Sequence, residues 1–155
     1  MQKKDVWGFL VILGLLVSVS SAGLLGQGTM MQKSLYDRLG GTKAITAVVD
    51  EFVTRVAADT RVNSYFGMTA GDPARMKMFK QNLVNQICQA SGGPCKYTGK
   101  DMKTAHMGMG ISSADFTALV EDLVGALDQF KVGKMEKDQL IGALGPMKTD
   151  IVEKS

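Results

Sequence analysis

From Ser34 to Val152 the apolar residues recur every three or four positions and nowhere alternate with polar ones, so this chain can bury its hydrophobic surface only by packing helices together. The fold class is therefore all-α. The clearest stripe is Ile45, Val48, Val49, Phe52, Val53 and Val56, opened by Thr42 as a cap and closed by Ala57-Ala58-Asp59. Before it, Ser34 to Leu39 makes a short turn of helix that Gly40-Gly41 stops. Asp72-Pro73, a cap followed by a first-turn proline, starts a helix that runs to about Ala90. Its buried face reads Met76, Phe79, Leu83 and Ile87, and Gly92-Gly93-Pro94 ends it. Ser112 with Asp115 three residues on forms a shortened capping box for a helix that buries Phe116, Leu119, Val120, Leu123, Val124 and Leu127. The last helix spans Glu136 to Val152, where Pro146 kinks it without ending it because Ile151 and Val152 resume the pattern.

The N-terminus obeys no such period. Val6 to Val19 is almost unbroken apolar sequence, preceded by Lys3 and Lys4 and followed by Ser20-Ser21-Ala22, the layout of a secretory signal peptide cleaved after Ala22. Left uncut, Val6 to Leu25 is long enough, at roughly 30 Å as a helix, to span a bilayer as an anchor. Either way the remainder lies outside the cytoplasm, periplasmic or extracellular, and meets a membrane only through this segment. The chain divides into residues 1–22 (signal peptide or anchor), a glycine-punctuated tether over 23–33, and one domain over 34–152. Eighteen Lys and Arg against fifteen Asp and Glu leave a formal charge of +3, dispersed along the sequence, which excludes the electrostatic footprint of a nucleic-acid binder.

The reactive inventory is short: one histidine, two cysteines and eleven methionines. No glycine-rich phosphate loop is present, and a hydrolytic triad would have to share His106 with a nucleophile that nothing places. His106 sits between the two long central helices, on a short helix over about Asp101 to Met107, with Met102, Ala105, Met107 and Met109 around it. An apolar surround suits a neutral imidazole that holds a metal, and leaves room for a large apolar plane beside it. Cys88 and Cys95 flank the flexible Ser91-Gly92-Gly93-Pro94 turn, which can fold one onto the other. An oxidising compartment favours a disulfide, and two packed free thiols are the other arrangement.

Four stretches together resemble one family, the group I truncated haemoglobins, compact globins with a two-over-two helical sandwich around haem. Leu35-Tyr36-Asp37-Arg38-Leu39-Gly40-Gly41 looks like the family's opening motif. Phe52-Val53-Thr54-Arg55-Val56 with Asp59, then Tyr65-Phe66, resembles its B helix and the aromatic pair that follows. Gly92-Gly93-Pro94, Tyr97-Thr98-Gly99 and Met102-Lys103 through His106 resemble the loop and short F segment that present the proximal histidine. Gly110-Ile111, Phe116, Leu119 and Val120 to Leu127 look like its G helix.

The resemblance implies haem as cofactor, His106 as the axial iron ligand, and Phe66 as the aromatic wedged against the haem. The further haem contacts it implies are Phe52, Val53, Phe79, Leu83, Met102, Met109 and Phe116. It further implies a diatomic gas ligand (oxygen, nitric oxide or carbon monoxide) and leaves open a redox partner and nitric oxide dioxygenase or peroxidase-like turnover. The chain departs from the family on the distal side. Val53 stands where relatives carry the tyrosine that hydrogen-bonds the gas ligand, and the distal glutamine has no fixed counterpart: Gln81 is nearest, while another register places Phe79 or Lys80 over the iron. The methionines fill an irregular core around a cofactor. Two sharper readings remain beside that one: Met76 or Met78 as a sixth iron ligand in a His/Met redox protein, or an exported copper-binding module built from His106, Met102, Met107, Met109 and the cysteines.

Overall fold

The computed structural model describes residues 32–154, so the signal or anchor segment 1–22 and most of the tether lie outside the described residues. Within 32–154 there are helices and no strand; an isolated bridge pairs Ser112 with Lys154. No helix among the described residues is long and apolar enough to cross a membrane.

The helices are α1 (Leu35–Arg38), α2 (Gly41–Ala58), α3 (Gly67–Ala70), α4 (Pro73–Ala90), α5 (Met102–His106), α6 (Ser113–Gln129), α7 (Lys134–Leu144) and α8 (Lys148–Ile151), with 3-10 turns at Asn63–Phe66 and Gly145–Met147. Side-chain caps open α1, α4, α5 and α6. Ser34 and Asp37 exchange capping-box bonds at α1, Asp72 accepts from the Ala74 and Arg75 amides at α4, and Ser112 and Asp115 form the box expected at α6. Thr42 does not cap α2. The helix begins one residue earlier, after Gly40 at φ +91°, and the Thr42 amide donates to the Tyr36 hydroxyl at 3.1 Å.

The four long helices make the two layers. α2 packs across both α4 and α6, and α7 closes against α4 and α6. At their centre Val49, Leu127 and Leu140 are at most 1% exposed, and each such aliphatic contributes about 1.5–3 kcal/mol by leaving water. Phe52 is closed into this core as well, at 6% exposure.

Two stripes are not buried as the sequence suggests. On α4 the buried residues are Val84, Ile87 and Cys88, while Met76, Phe79 and Leu83 remain partly uncovered. On α6 the core takes Ala118, Leu123, Ala126 and Leu127 and leaves Phe116, Leu119, Val120 and Val124 half-buried. A helix flanked by protein on one face and by another apolar surface on the next reads as one broad stripe, so periodicity cannot divide it. The 3-10 turn and α3 over residues 63–70 were not foreseen. The C-terminal helix is broken into α7, the turn at Gly145–Met147 and α8, with Leu144 and Gly145 still right-handed helical, which is a kink at Pro146.

Cys88 and Cys95 are disulfide-bonded, with Cα atoms 5.7 Å apart, so the free-thiol arrangement is excluded. The bond ties the end of α4 to the loop leading to α5. Gly93 inside it has no room for a side chain: a Cβ would lie 2.5 Å from the Tyr36 ring and 2.7 Å from the Cys88 sulfur.

Candidate functional site

His106 is the last residue of α5, whose first turn is fixed by Asp101. That carboxylate accepts the Thr104 amide at 2.9 Å, and the bond holds its pKa below the usual carboxylate range. The imidazole is half-buried, and its Nδ1 lies 2.7 Å from the Met102 carbonyl oxygen one turn back. A carbonyl only accepts, so Nδ1 carries the proton and Nε2 holds the free lone pair. That tautomer is the one a metal-ligating histidine needs, with a backbone carbonyl fixing the ring.

α4 reaches α5 through Gln86, which bonds Met102. Met76, Phe79, Leu83 and Gln86 follow at intervals of three and four, which stacks them along one stripe. At its end the Gln86 amide nitrogen reaches two thioethers, Met102 Sδ at 3.4 Å and Met147 Sδ at 3.0 Å, joining α4 to α5 and to the kink before α8. Phe79 meets Phe66 with ring centroids 5.5 Å apart. Phe66 is held from behind because its neighbour Tyr65 donates to Asp115 Oδ2 at 2.9 Å. That bond raises the Tyr65 pKa, while the Ser112 and Tyr65 bonds lower that of Asp115. Phe116 lies beneath Lys148, whose ammonium is 5.8 Å from the ring centre.

Of the haem contacts inferred from sequence, Phe66, Phe79, Leu83, Met102, Met109 and Phe116 are thus half-buried apolar groups on the elements around His106, and Val53 is half-buried at the margin of the core. Phe52 alone is packed fully against protein. Incompletely covered apolar side chains, together with an imidazole whose Nε2 is free, fit a large planar apolar group ligated through a metal, and so fit haem.

The alternative donors do not assemble. Cys88 and Cys95 are spent in their disulfide and offer no thiolate, Met107 is 73% exposed, and Met102 is turned to Gln86, so the copper set is not gathered. Met78 is 60% exposed, which removes it as a sixth iron ligand. Gln81 bonds Asn85 at the surface and Lys80 reaches Asp50 at 2.8 Å, leaving Phe79 as the member of that trio engaged with Phe66.

Sequence reasoning missed Gln86, Met147, the Tyr65–Asp115 bond and Glu153. Gln86 could have been found, since it continues the α4 stripe. Glu153 could not: its carboxylate accepts the Gly108 and Gly110 amides, 2.6 Å each, from more than forty residues away, and these bonds depress its pKa.

Comparison with known proteins agrees with this geometry. Residues 34–153 match the model of the bacterial-like globin family. The group 1 truncated hemoglobin GlbN of Mycolicibacterium paratuberculosis is 35% identical over 118 residues, 76% of this chain and 83% of that protein. That of Tetrahymena thermophila is 34% identical over 111 residues, 72% and 84% of the two chains. Among solved structures, the Fe(III) truncated hemoglobin of Tetrahymena pyriformis superposes with TM-score 0.72 at 28% identity, covering 79% of this chain and all of that one (100%). The Synechococcus 2/2 hemoglobin in the cyanomet state, with covalently attached heme, gives 0.70 at 30% identity, with coverage of 79% and 100%.

Proposed function

The chain belongs to the bacterial-like globin family and within it to the group 1 truncated haemoglobins, and from that premise we propose that His106 is its axial iron ligand and that its gas pocket is apolar. The protein binds haem and, as its family does, a diatomic gas. Haem held through His106 would supply an iron able to bind a diatomic gas.

The observation that carries the assignment is the 2.7 Å contact from His106 Nδ1 to the Met102 carbonyl, which leaves Nε2 for iron. In this reading the partly uncovered α4 stripe of Met76, Phe79 and Leu83 lines the gas side, with Phe66 joined to it through Phe79. Val53 brings no hydroxyl to this side. A gas ligand there gains little hydrogen bonding, which favours fast exchange of oxygen, nitric oxide or carbon monoxide over tight oxygen storage.

The proposal extends to location. The apolar run from Val6 to Val19 and the small residues at Ser20-Ser21-Ala22 support export, and the Cys88–Cys95 disulfide suits an oxidising compartment. If Ala22 is left uncut, the same run tethers the domain to a membrane. Oxygen and carbon monoxide bind ferrous iron, so the proposal includes an electron-donating partner in that compartment.

Absorption spectra of the purified protein, oxidised, reduced and with carbon monoxide, test the site. The expected result is about one haem per chain and a reduced form that takes up carbon monoxide at once. A reduced form with two strong protein ligands would give Met76 the sixth position and sink the open-pocket reading. Intact mass on the same material tests export: cleavage gives a chain beginning at Gly23, without the sole tryptophan, Trp7.

A further inference from the structure

The backbone leaves the helical conformation at Met107, immediately after His106. Ser112 already caps α6, so only residues 107–111 separate the ligand-bearing helix from the next one. Two of the five are glycines in the left-handed region, Gly108 at φ +80° and Gly110 at φ +67°. A short glycine loop has much conformational freedom to lose, and α5 cannot restrain it from within, having no buried residue of its own.

Two residues far along the chain restrain it. Glu153 Oε1 accepts the Gly108 amide and Oε2 accepts the Gly110 amide, both at 2.6 Å, so the two oxygens of one carboxylate take the two glycine N–H groups. The amides of Glu153 and Lys154 donate to the Ile111 carbonyl at 2.8 and 3.1 Å, and the Lys154 carbonyl accepts the Ser113 amide at 3.2 Å. α8, which directly precedes them, packs against α5. The segment that holds His106 is thus fastened along its exit by the residues that follow α8. Bonds from N–H to a carboxylate are the shorter and stronger kind, and using both oxygens fixes direction as well as distance.

We propose that Glu153 is a positioning residue for His106: by holding the Gly108 and Gly110 amides it sets the angle at which the imidazole is presented to the iron. The proposal rests on His106 being the axial ligand. With Nδ1 bonded to the Met102 carbonyl, the ring moves only as α5 moves, so a clamp on the α5 exit is a clamp on the ring.

Glu153→Gln keeps the shape but loses the charge and one acceptor, and Glu153→Asp keeps the charge on a stem one methylene shorter. Asp138→Asn is the control, since that exposed carboxylate on α7 pairs with Lys134 and takes no part in the strap. Three measurements are made on the holoprotein. In the resonance Raman spectrum of the deoxygenated ferrous form, the iron–histidine stretching band is expected to move and broaden in Glu153→Gln and to stay at the wild-type position in Asp138→Asn. Haem transfer to an excess of an apo-globin scavenger is expected to run severalfold faster in Glu153→Gln, with partial recovery in Glu153→Asp. Hydrogen exchange at Gly108 and Gly110 is expected to follow the same order. An unchanged band and transfer rate beside faster amide exchange would make the clamp a tail anchor only and overturn the proposal. Rapid exchange of both amides in the wild type would overturn it too, because the clamp would not be formed. Absence of the iron–histidine band from the wild type would remove His106 as the ligand, and the positioning role would fall with it.

Discussion

The two sides of the site are built by opposite means. The α2 and α4 side consists of 18-residue helices locked into the core by Val49, Val56, Val84 and Ile87, each at most 6% exposed. The His106 side is a five-residue helix with no buried residue, held by a cap at Asp101, a carbonyl at Met102 and a carboxylate at Glu153. Apolar packing is strong but indifferent to small rotations, whereas hydrogen bonds fix direction. The side that only has to exclude water uses the first, and the side that must aim a lone pair uses the second.

The sharpest way to break this contrast is to remove its aimed group. His106→Ala is expected to lower haem affinity by more than about a hundredfold, since loss of a supporting partner alone typically costs 10–100-fold and the ligand itself must count for more. Haem titration of the apo chain checks this, and unchanged retention would mean that packing alone holds the cofactor. The second test gives the packed side an aimed group. Val53→Tyr is expected to slow oxygen dissociation by about ten- to a hundredfold, the worth of one hydrogen bond to a partly charged acceptor, and to leave carbon monoxide nearly unchanged. Stopped-flow displacement reads both rates. Equal oxygen rates in a folded, haem-replete variant would show that Val53 does not face the gas. The added ring costs about 1–3 kcal/mol in overpacking, which a denaturant melt would register.

The smallest effect on the site is expected at the disulfide, which belongs to neither side and links the end of α4 to the approach to α5. Cys88→Ala with Cys95→Ala should lower stability by about 2 kcal/mol in urea melts, as the short loop it closes implies. The gas dissociation rates should not move. If they do, the two sides are coupled through this loop and are less separate than their construction suggests.

Much of the architecture was legible because local chemistry marks it. Ser34, Asp72-Pro73 and Ser112 with Asp115 announce helix starts by satisfying the first free amides, and such signals lie within four residues of what they control. His106 was legible by being the sole imidazole in an apolar loop. Position along the chain hid the rest. Met76, Phe79 and Leu83 look like core residues because any large apolar surface demands the same side chains, and only the buried set Val84, Ile87 and Cys88 separates the two faces of α4. The turn at Asn63–Phe66 is too short for a period to register, and what fixes it, the bond from Tyr65 to Asp115, spans 50 positions. Glu153 is an ordinary charge in the sequence and acquires its role only when α8 brings it back to Gly108.

That return has a consequence for how the protein is made. Gly108 leaves the ribosome 45 residues before Glu153, so at about 5–20 residues per second the segment after His106 waits roughly 2–9 s for the carboxylate that closes it. At the start of that interval α2 and α4 are already synthesised and α6 follows within it, while the exit of α5 still lacks its strap. Wherever the chain emerges N-terminus first, from the ribosome or across a membrane, the packed side can therefore begin to close before the aimed side is strapped, which makes the presentation of His106 one of the last features of the domain to be completed.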